Sequence, residues 1–161
     1  MAISPATFRA AMGQMASGVT IITMHAEGQD HGFTASSFTS LSLDPMLVLV
    51  CVVKDQRSHA LLERAGHYAA NILGESQRTL GMRFADPLTI DRFAGLCVDR
   101  ALTGAPILSQ SLAWVDCRVR DVLPGGDHSI FVGEVIAAHA LPSERALVYY
   151  NRQWGRFLSE D

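Results

Sequence analysis

The stretch from Leu112 to His139 limits the fold more than any other part of this sequence. Val115, Cys117 and Val119 alternate with Asp116, Arg118 and Arg120, the period of a strand with one face on a core and the other in water. The phase slips by Val122, which predicts a bulge. Pro124-Gly125-Gly126-Asp127 predicts a tight turn, and His128 to His139 is then apolar on both sides except at Glu134. A long antiparallel hairpin follows. A parallel doubly wound sheet does not, because no regular alternation of strand and helix persists along the chain.

The remaining elements fit round that hairpin. Ser4 and Pro5 read as the cap and first residue of a short helix, with Phe8, Met12 and Met15 at helical spacing before Gly18. Val19 to His25 is rich in β-branched residues and ends at the polar turn Glu27-Gly28-Gln29-Asp30, so it pairs as a hairpin with an extended run from His31 to Leu43. Asp44-Pro45 breaks that run. Met46 to Val53 is apolar at every position, as expected of a strand buried on both faces. A capping serine at Ser58 and Gly66 after Ala65 frame a second helix, His67 to Leu73 reads as a strand, and Ser76 to Ala85 as a third helix stopped by Asp86-Pro87. The expected fold is therefore mainly β with short helices, arranged as a small antiparallel barrel. No linker, repeat or charge run divides the 161 residues, which are expected to form a single domain over 1–161.

Composition narrows the function. Thirteen basic residues against sixteen acidic ones give −3, so nothing draws the whole chain to phosphate backbones or anionic lipid, and neither nucleic acid nor membrane is expected as a partner. Cys51, Cys97 and Cys117 are an odd set without a CxxC spacing, each in an apolar stretch, and are expected as free buried thiols in a cytoplasmic protein. HExxH, Walker, GxSxG and GxGxxG patterns and metal-spaced Cys/His pairs do not occur, so no metal is expected.

Three features could carry chemistry. Thr34, Ser36, Ser37, Thr39 and Ser40 crowd hydroxyls into one extended segment, where small side chains let a ligand approach the main chain. Lys54-Asp55-Gln56-Arg57-Ser58-His59 stands where the apolar strand meets a helix start, an arrangement suited to an anion. Gly125-Gly126-Asp127-His128 holds a histidine at the mouth of the barrel. Each also has an ordinary structural reading, as an edge strand, a capped helix with solvated charges, and a histidine beside a turn.

Eight segments tip the balance: FRAAMGQMASGVTIIT, HGFTASSFTSLSLDPMLVLVCV, SHALLERAGHYAANIL, DRFAG, GAPIL, LAWVDCRV, GGDHSIFVGEV and LVYYNRQWGRF. In that order they resemble the short-chain flavin reductases that supply two-component flavin monooxygenases, over nearly the whole chain from Phe8 to Phe157. The resemblance implies a split-barrel flavin-binding fold, a homodimer, and reduction of FMN or FAD by NADH or NADPH for a partner flavin-dependent oxygenase. It places flavin contacts on Thr34, Ala35, Ser36, Ser37 and Ser40, on Cys51, Val52, Val53 and Lys54, on Ser58 and His59, and on Arg92 and Phe93. Nicotinamide nucleotide contacts fall on Asp127 and His128, with Tyr149, Tyr150 and Asn151 nearby; His128 is the catalytic candidate, orienting the nicotinamide without moving a proton. Trp154 stands where the family often has tyrosine, and Cys51 where relatives often have serine. The alternative with the same fold is a non-catalytic flavin carrier or sensor.

Overall fold

The structure is a computed structural model, and it describes residues 3–141 and 144–158. Its centre is a seven-stranded antiparallel sheet built from β2 (Thr20–Ala26), β3 (Gln29–Ala35), β4 (Thr39–Leu43), β5 (Met46–Val53), β6 (His67–Ile72), β9 (Ala113–Gly125) and β10 (His128–Ala140), in the order β3-β2-β6-β9-β10-β5-β4. The two edge strands are consecutive in the chain, joined only by residues 36–38. A flat sheet would hold its edges roughly 29 Å apart at the usual strand spacing. The link from Ala35 to Thr39 can reach only about 14 Å, so the sheet rolls until its edges meet at that corner. The hydroxyl of Ser37 clasps the seam, donating to the Cys51 carbonyl (3.0 Å) and accepting from the Cys51 amide (3.2 Å). The result is a mainly β, split barrel, as expected. The run from His31 to Leu43 is not one strand, however: it breaks at Ser36, because the chain must leave one edge and start the other.

The barrel is filled by Ile22, Met24, Val50, Val52, Leu62, Tyr68, Cys117 and Phe131, all buried. Helix α2 (Arg57–Ala65) closes one end through Leu61 and Leu62 and stops at Gly66, whose φ of 66° is the left-handed cap that glycine adopts without strain. The long hairpin is present, with bulges at Arg120 and at Ile136. Its strand pairing continues through Gly125, so the turn is only Gly126 and Asp127.

A second layer packs outside. Helix α3 (Arg78–Ala85) and the small sheet of β1 (Ser17–Gly18), β11 (Leu147–Tyr150) and β12 (Gln153–Arg156) gather Val19, Ile21, Leu73, Phe84 and Leu147 into a separate cluster. The pair β7 (Val98–Arg100) and β8 (Pro106–Leu108) covers the barrel wall through buried Asn71, which donates to the Ile21 carbonyl (3.1 Å) and accepts from the Leu108 amide (2.8 Å).

This second layer overturns several expectations. Asp116, expected in water, is fully buried and accepts from the Thr103 amide (2.9 Å) and hydroxyl (2.6 Å), because the β7–β8 segment lies over that face. The cysteines are free, but only Cys117 is buried; Cys51 is half-buried and Cys97 exposed. Burial, with the Asp116 carboxylate alongside, pushes the Cys117 thiol up to about 12, so it stays a thiol. Strand β5 is buried on one face only, and Leu47, Leu49, Cys51 and Val53 are half-exposed on the other. Ser4 does cap α1 (Pro5–Met12), accepting from the Thr7 amide, but the helix ends before Met15 and buries none of its residues.

Candidate active site

The end of β5, the turn after β9 and the start of α2 meet on one rim. The Lys54 amide donates to the Asp127 carbonyl (3.0 Å), and its ammonium donates to the Gly126 carbonyl (2.7 Å). Antiparallel register sets His128 opposite Val53 and Ser129 opposite Val52. His128 Nδ1 and Asp127 Oδ1 lie 2.7 Å apart, and this hydrogen bond holds the Asp127 carboxyl below the usual carboxylate range. His59 reaches from α2 to the Ser129 hydroxyl (2.8 Å) and sets its ring edgewise on Phe131. Ser37, Cys51, Val53, Lys54, Ser58, His59, Asp127 and His128 thus gather on one side of the barrel, whereas the Val52 side chain, expected at the flavin, lies on the other face of β5 in the core.

Ser58 does not cap α2. The cap position is Gln56, whose side chain makes no capping hydrogen bond; the Ser58 hydroxyl turns back to Gln56 Oε1 (3.4 Å). The His59 amide donates to the Gln56 carbonyl (3.0 Å), while the amides of Arg57 and Ser58 keep their donor capacity, which favours an anion there. Among the described residues, the amides of Ser36, Ser37 and Phe38 also make no main-chain hydrogen bond.

Arg92 and Phe93 line a cleft of about 760 Å³ together with Arg57 and Ser58. Arg92 gives its terminal nitrogens to the carbonyls of Gly32 (3.1 Å) and Asp86 (2.8 Å), while its buried Nε has no partner. Phe93 packs edgewise on Phe84, with ring centroids 5.1 Å apart. His31 also lines this cleft; burial lowers its pKa against the bond to the Ala26 carbonyl, which favours the neutral ring.

Other expected contacts fall elsewhere. The Thr34 hydroxyl donates to the Gly81 carbonyl of α3 (2.7 Å), and Ala35 belongs to the barrel core. Ser36 and Ser40 are exposed at the seam. Tyr149 packs on Trp154, the Tyr150 hydroxyl donates to Gln14 Oε1 (2.8 Å), and the Asn151 amide donates to the Gly13 carbonyl. This three-stranded sheet makes no strand pairing with the Gly126–Asp127 turn, so within this chain the residues expected at the nicotinamide are divided between two sheets. Sequence reasoning missed Ser129 and Gly32; the signal for Ser129 was a single hydroxyl facing inward in an otherwise apolar strand.

The rim and cleft are rich in donors: two arginines, a lysine, free amides and an orphaned guanidinium Nε. That set suits a phosphate and a carbonyl-rich ring, so the residues fit a flavin nucleotide. The family model for the flavin reductase-like domain matches residues 12–157. The chain belongs to that family. The reductase subunit HsaB of a flavin-dependent monooxygenase from Rhodococcus jostii is 43% identical over 155 residues, covering 95% of this chain and 78% of the relative. The stachydrine N-demethylase reductase subunit Stc3 of Rhizobium meliloti is 46% identical over 134 residues, 83% of this chain but 58% of that protein. Among solved structures, the NADH:FAD oxidoreductase SgcE6 of Streptomyces globisporus, in complex with NAD and FAD fragments, superposes with a TM-score of 0.91 at 32% identity, over 99% of this chain and 98% of that one. In this flavin reductase-like domain the conserved fold thus places the uncapped helix start and the His128 turn side by side.

Proposed function

We propose that the protein is an NAD(P)H:flavin oxidoreductase that reduces FMN or FAD and supplies reduced flavin to a partner flavin-dependent oxygenase. The observation that carries this reading is the shared rim, where an anion-directed helix start and Lys54 adjoin the turn bearing His128. The names of the relatives, reductase subunits of monooxygenases and an NADH:FAD oxidoreductase, support it.

The bound flavin supplies a hydride acceptor and the dihydronicotinamide a donor, so this chain need provide neither nucleophile nor metal. Its task is to hold two rings in contact. The amides of residues 36–38 and of Arg57 and Ser58 would supply fixed donors for the flavin's carbonyls and phosphate, and their preorganisation would favour charge developing on the ring system. Ser37 keeps those amides in place by its clasp on Cys51. Lys54 is anchored on the turn, adding positive charge on the same rim. His128, half-exposed and braced by Asp127, orients the nicotinamide nucleotide and moves no proton. Tyr149, Tyr150 and Asn151 complete the nucleotide site from a second protomer.

A homodimer accounts for surfaces that would otherwise stay wet. Helix α1 exposes Phe8 and Met12, the β4–β5 hairpin exposes Leu41, Leu43 and Met46, and apolar patches of this kind mark protein contacts. We assign the whole of 1–161 to one domain, working in the cytoplasm with its three thiols unpaired. No helix among the described residues is long and apolar enough to cross a membrane.

NADH and NADPH oxidation, followed by loss of absorbance with FMN, FAD and riboflavin in turn, tests the reading. Turnover dependent on added flavin is expected; a retained yellow cofactor without nucleotide oxidation would make the protein a carrier and refute it. In the same assay, His128→Ala should raise KM for NADH several-fold, about 1 kcal/mol of lost contact, with flavin affinity unchanged. An unaltered KM would remove His128 from the site.

A further inference from the structure

The loop that follows α3 borders two cavities. Asp91, Arg92 and Phe93 line the cleft described above, whereas Gly95, Leu96 and Cys97 line a second cavity of about 540 Å³ that shares no residue with it. A turn closed by the Leu96 amide on the Phe93 carbonyl (2.9 Å) separates the two sets. The volume falls within the roughly 300–1,000 Å³ that encloses small molecules. Its walls are tied together. Buried Gln77 donates to the Ser109 carbonyl (3.2 Å), the Ser109 hydroxyl donates to the Cys97 carbonyl (2.9 Å), and Arg83 Nη2 donates to the carbonyls of Asp91 (3.0 Å) and Ala94 (2.8 Å). A cavity braced in this way needs little rearrangement to accept a ligand.

The lining sets the chemistry of that ligand. Leu80, Leu96 and Leu108 supply apolar surface, no acid lines the cavity, and Arg83 is its one cation among the described residues. The guanidinium commits only Nη2: its Nε and Nη1 make no hydrogen bond, and it joins no ion pair, among the described residues. An arginine with that capacity to spare accepts a carboxylate through two parallel bonds. Glu144 does not fill the role. It reaches the lining residue Ser76 and commits one oxygen to its amide (3.2 Å) and the other to its hydroxyl (2.7 Å).

Resting on the reductase reading above, we propose that this second cavity is an effector site for a small carboxylic acid with an apolar body. The carboxylate pairs with Arg83, the body lies against the leucines, and occupancy tightens flavin binding. Arg83 is the link, because its bonds to Asp91 and Ala94 bracket Arg92 and Phe93. An acid that fixes the guanidinium therefore fixes the wall of the flavin cleft as well.

Benzoate, with neutral benzamide as its isosteric control, is the probe. Cys97 is exposed and lines the cavity, so its alkylation by iodoacetamide, located by mass spectrometry, reports occupancy without turnover. Benzoate is expected to slow that alkylation saturably and to lower Kd for flavin about fivefold, the low end of coupling between two sites. Benzamide should do neither. Thr79→Glu sets a carboxylate one turn before Arg83 on α3, where an i,i+4 pair occupies the guanidinium. Thr79 is exposed, so the fold is retained, and in this variant benzoate should change neither readout. Alkylation unaffected by benzoate, equal protection by benzamide, or protection that persists in Thr79→Glu overturns the site. Protection of Cys97 with flavin affinity unchanged or weakened overturns the effector role. If the protein binds no flavin at all, the reductase reading falls and the effector role with it, while the Cys97 readout still decides whether an acid enters the cavity.

Discussion

Gly133→Ala is expected to cost roughly 3 kcal/mol of stability, at the upper end of what overpacking a core does, and Gly133→Val to prevent folding. The reason is space, since Gly133 needs no unusual backbone angle. A Cβ there would lie 2.8 Å from Tyr68 Cζ and 2.9 Å from Cys117 Cβ, and closer still to the Tyr68 hydroxyl. Neither neighbour can yield: both are fully buried, and Tyr68 fills the barrel beside Phe131. The Tyr68 hydroxyl makes no hydrogen bond, and burial drives its pKa up, so it stays protonated. Tyr68→Phe should therefore be tolerated, and in that background the penalty of Gly133→Ala should shrink, because the closest obstructing atom is gone. Denaturant midpoints of the two single variants and the double variant measure this. Equal stability of Gly133→Ala and the wild type would mean the barrel is looser there than its geometry indicates.

Arg92→Ala is expected to raise the flavin KM at least tenfold, with a smaller fall in kcat. The guanidinium binds two carbonyls from different segments, Gly32 in β3 and Asp86 after α3, and so fixes the loop that forms one wall of the cleft. Hydrogen bonds from a charged donor contribute about 1.5–3 kcal/mol each, and their removal loosens the wall as well as deleting a cation. Arg92→Lys restores the charge but not the planar fork that reaches both carbonyls, so it should recover little. Flavin binding followed by fluorescence quenching, alongside steady-state kinetics, separates affinity from turnover. A variant that binds flavin as tightly as the wild type would remove Arg92 from the flavin site.

Both residues show where reading the chain succeeds and where it stops. Arg92 and Phe93 could be assigned only through the resemblance, because nothing in their own spacing distinguishes a cleft wall from a surface loop. Gly133 carried no signal at all: its importance lies in a tyrosine 65 positions away in the sequence. The seam is similar. A dense set of hydroxyls marked residues 34–40 as unusual, yet the three best placed do different things. Thr34 secures α3, Ser37 closes the barrel, and Ser36 stays in solvent. Residue type alone could not sort them, since a hydroxyl's role depends on which carbonyl the fold brings near it.

Local patterns did determine β2, β5, β6, the long hairpin with its bulge, the caps at Ser4 and Gly66, and the mainly β class, because these depend on neighbours within a few positions. The tertiary structure alone decided that Asp116 is buried under the β7–β8 segment, that β3 and β4 become the two lips of a split barrel, and that the start of α2, Lys54 and His128 share a rim. Those outcomes depend on how distant segments cover one another. Alternation along a strand says which side chains share a face, but what lies over that face is settled only when another part of the chain packs against it.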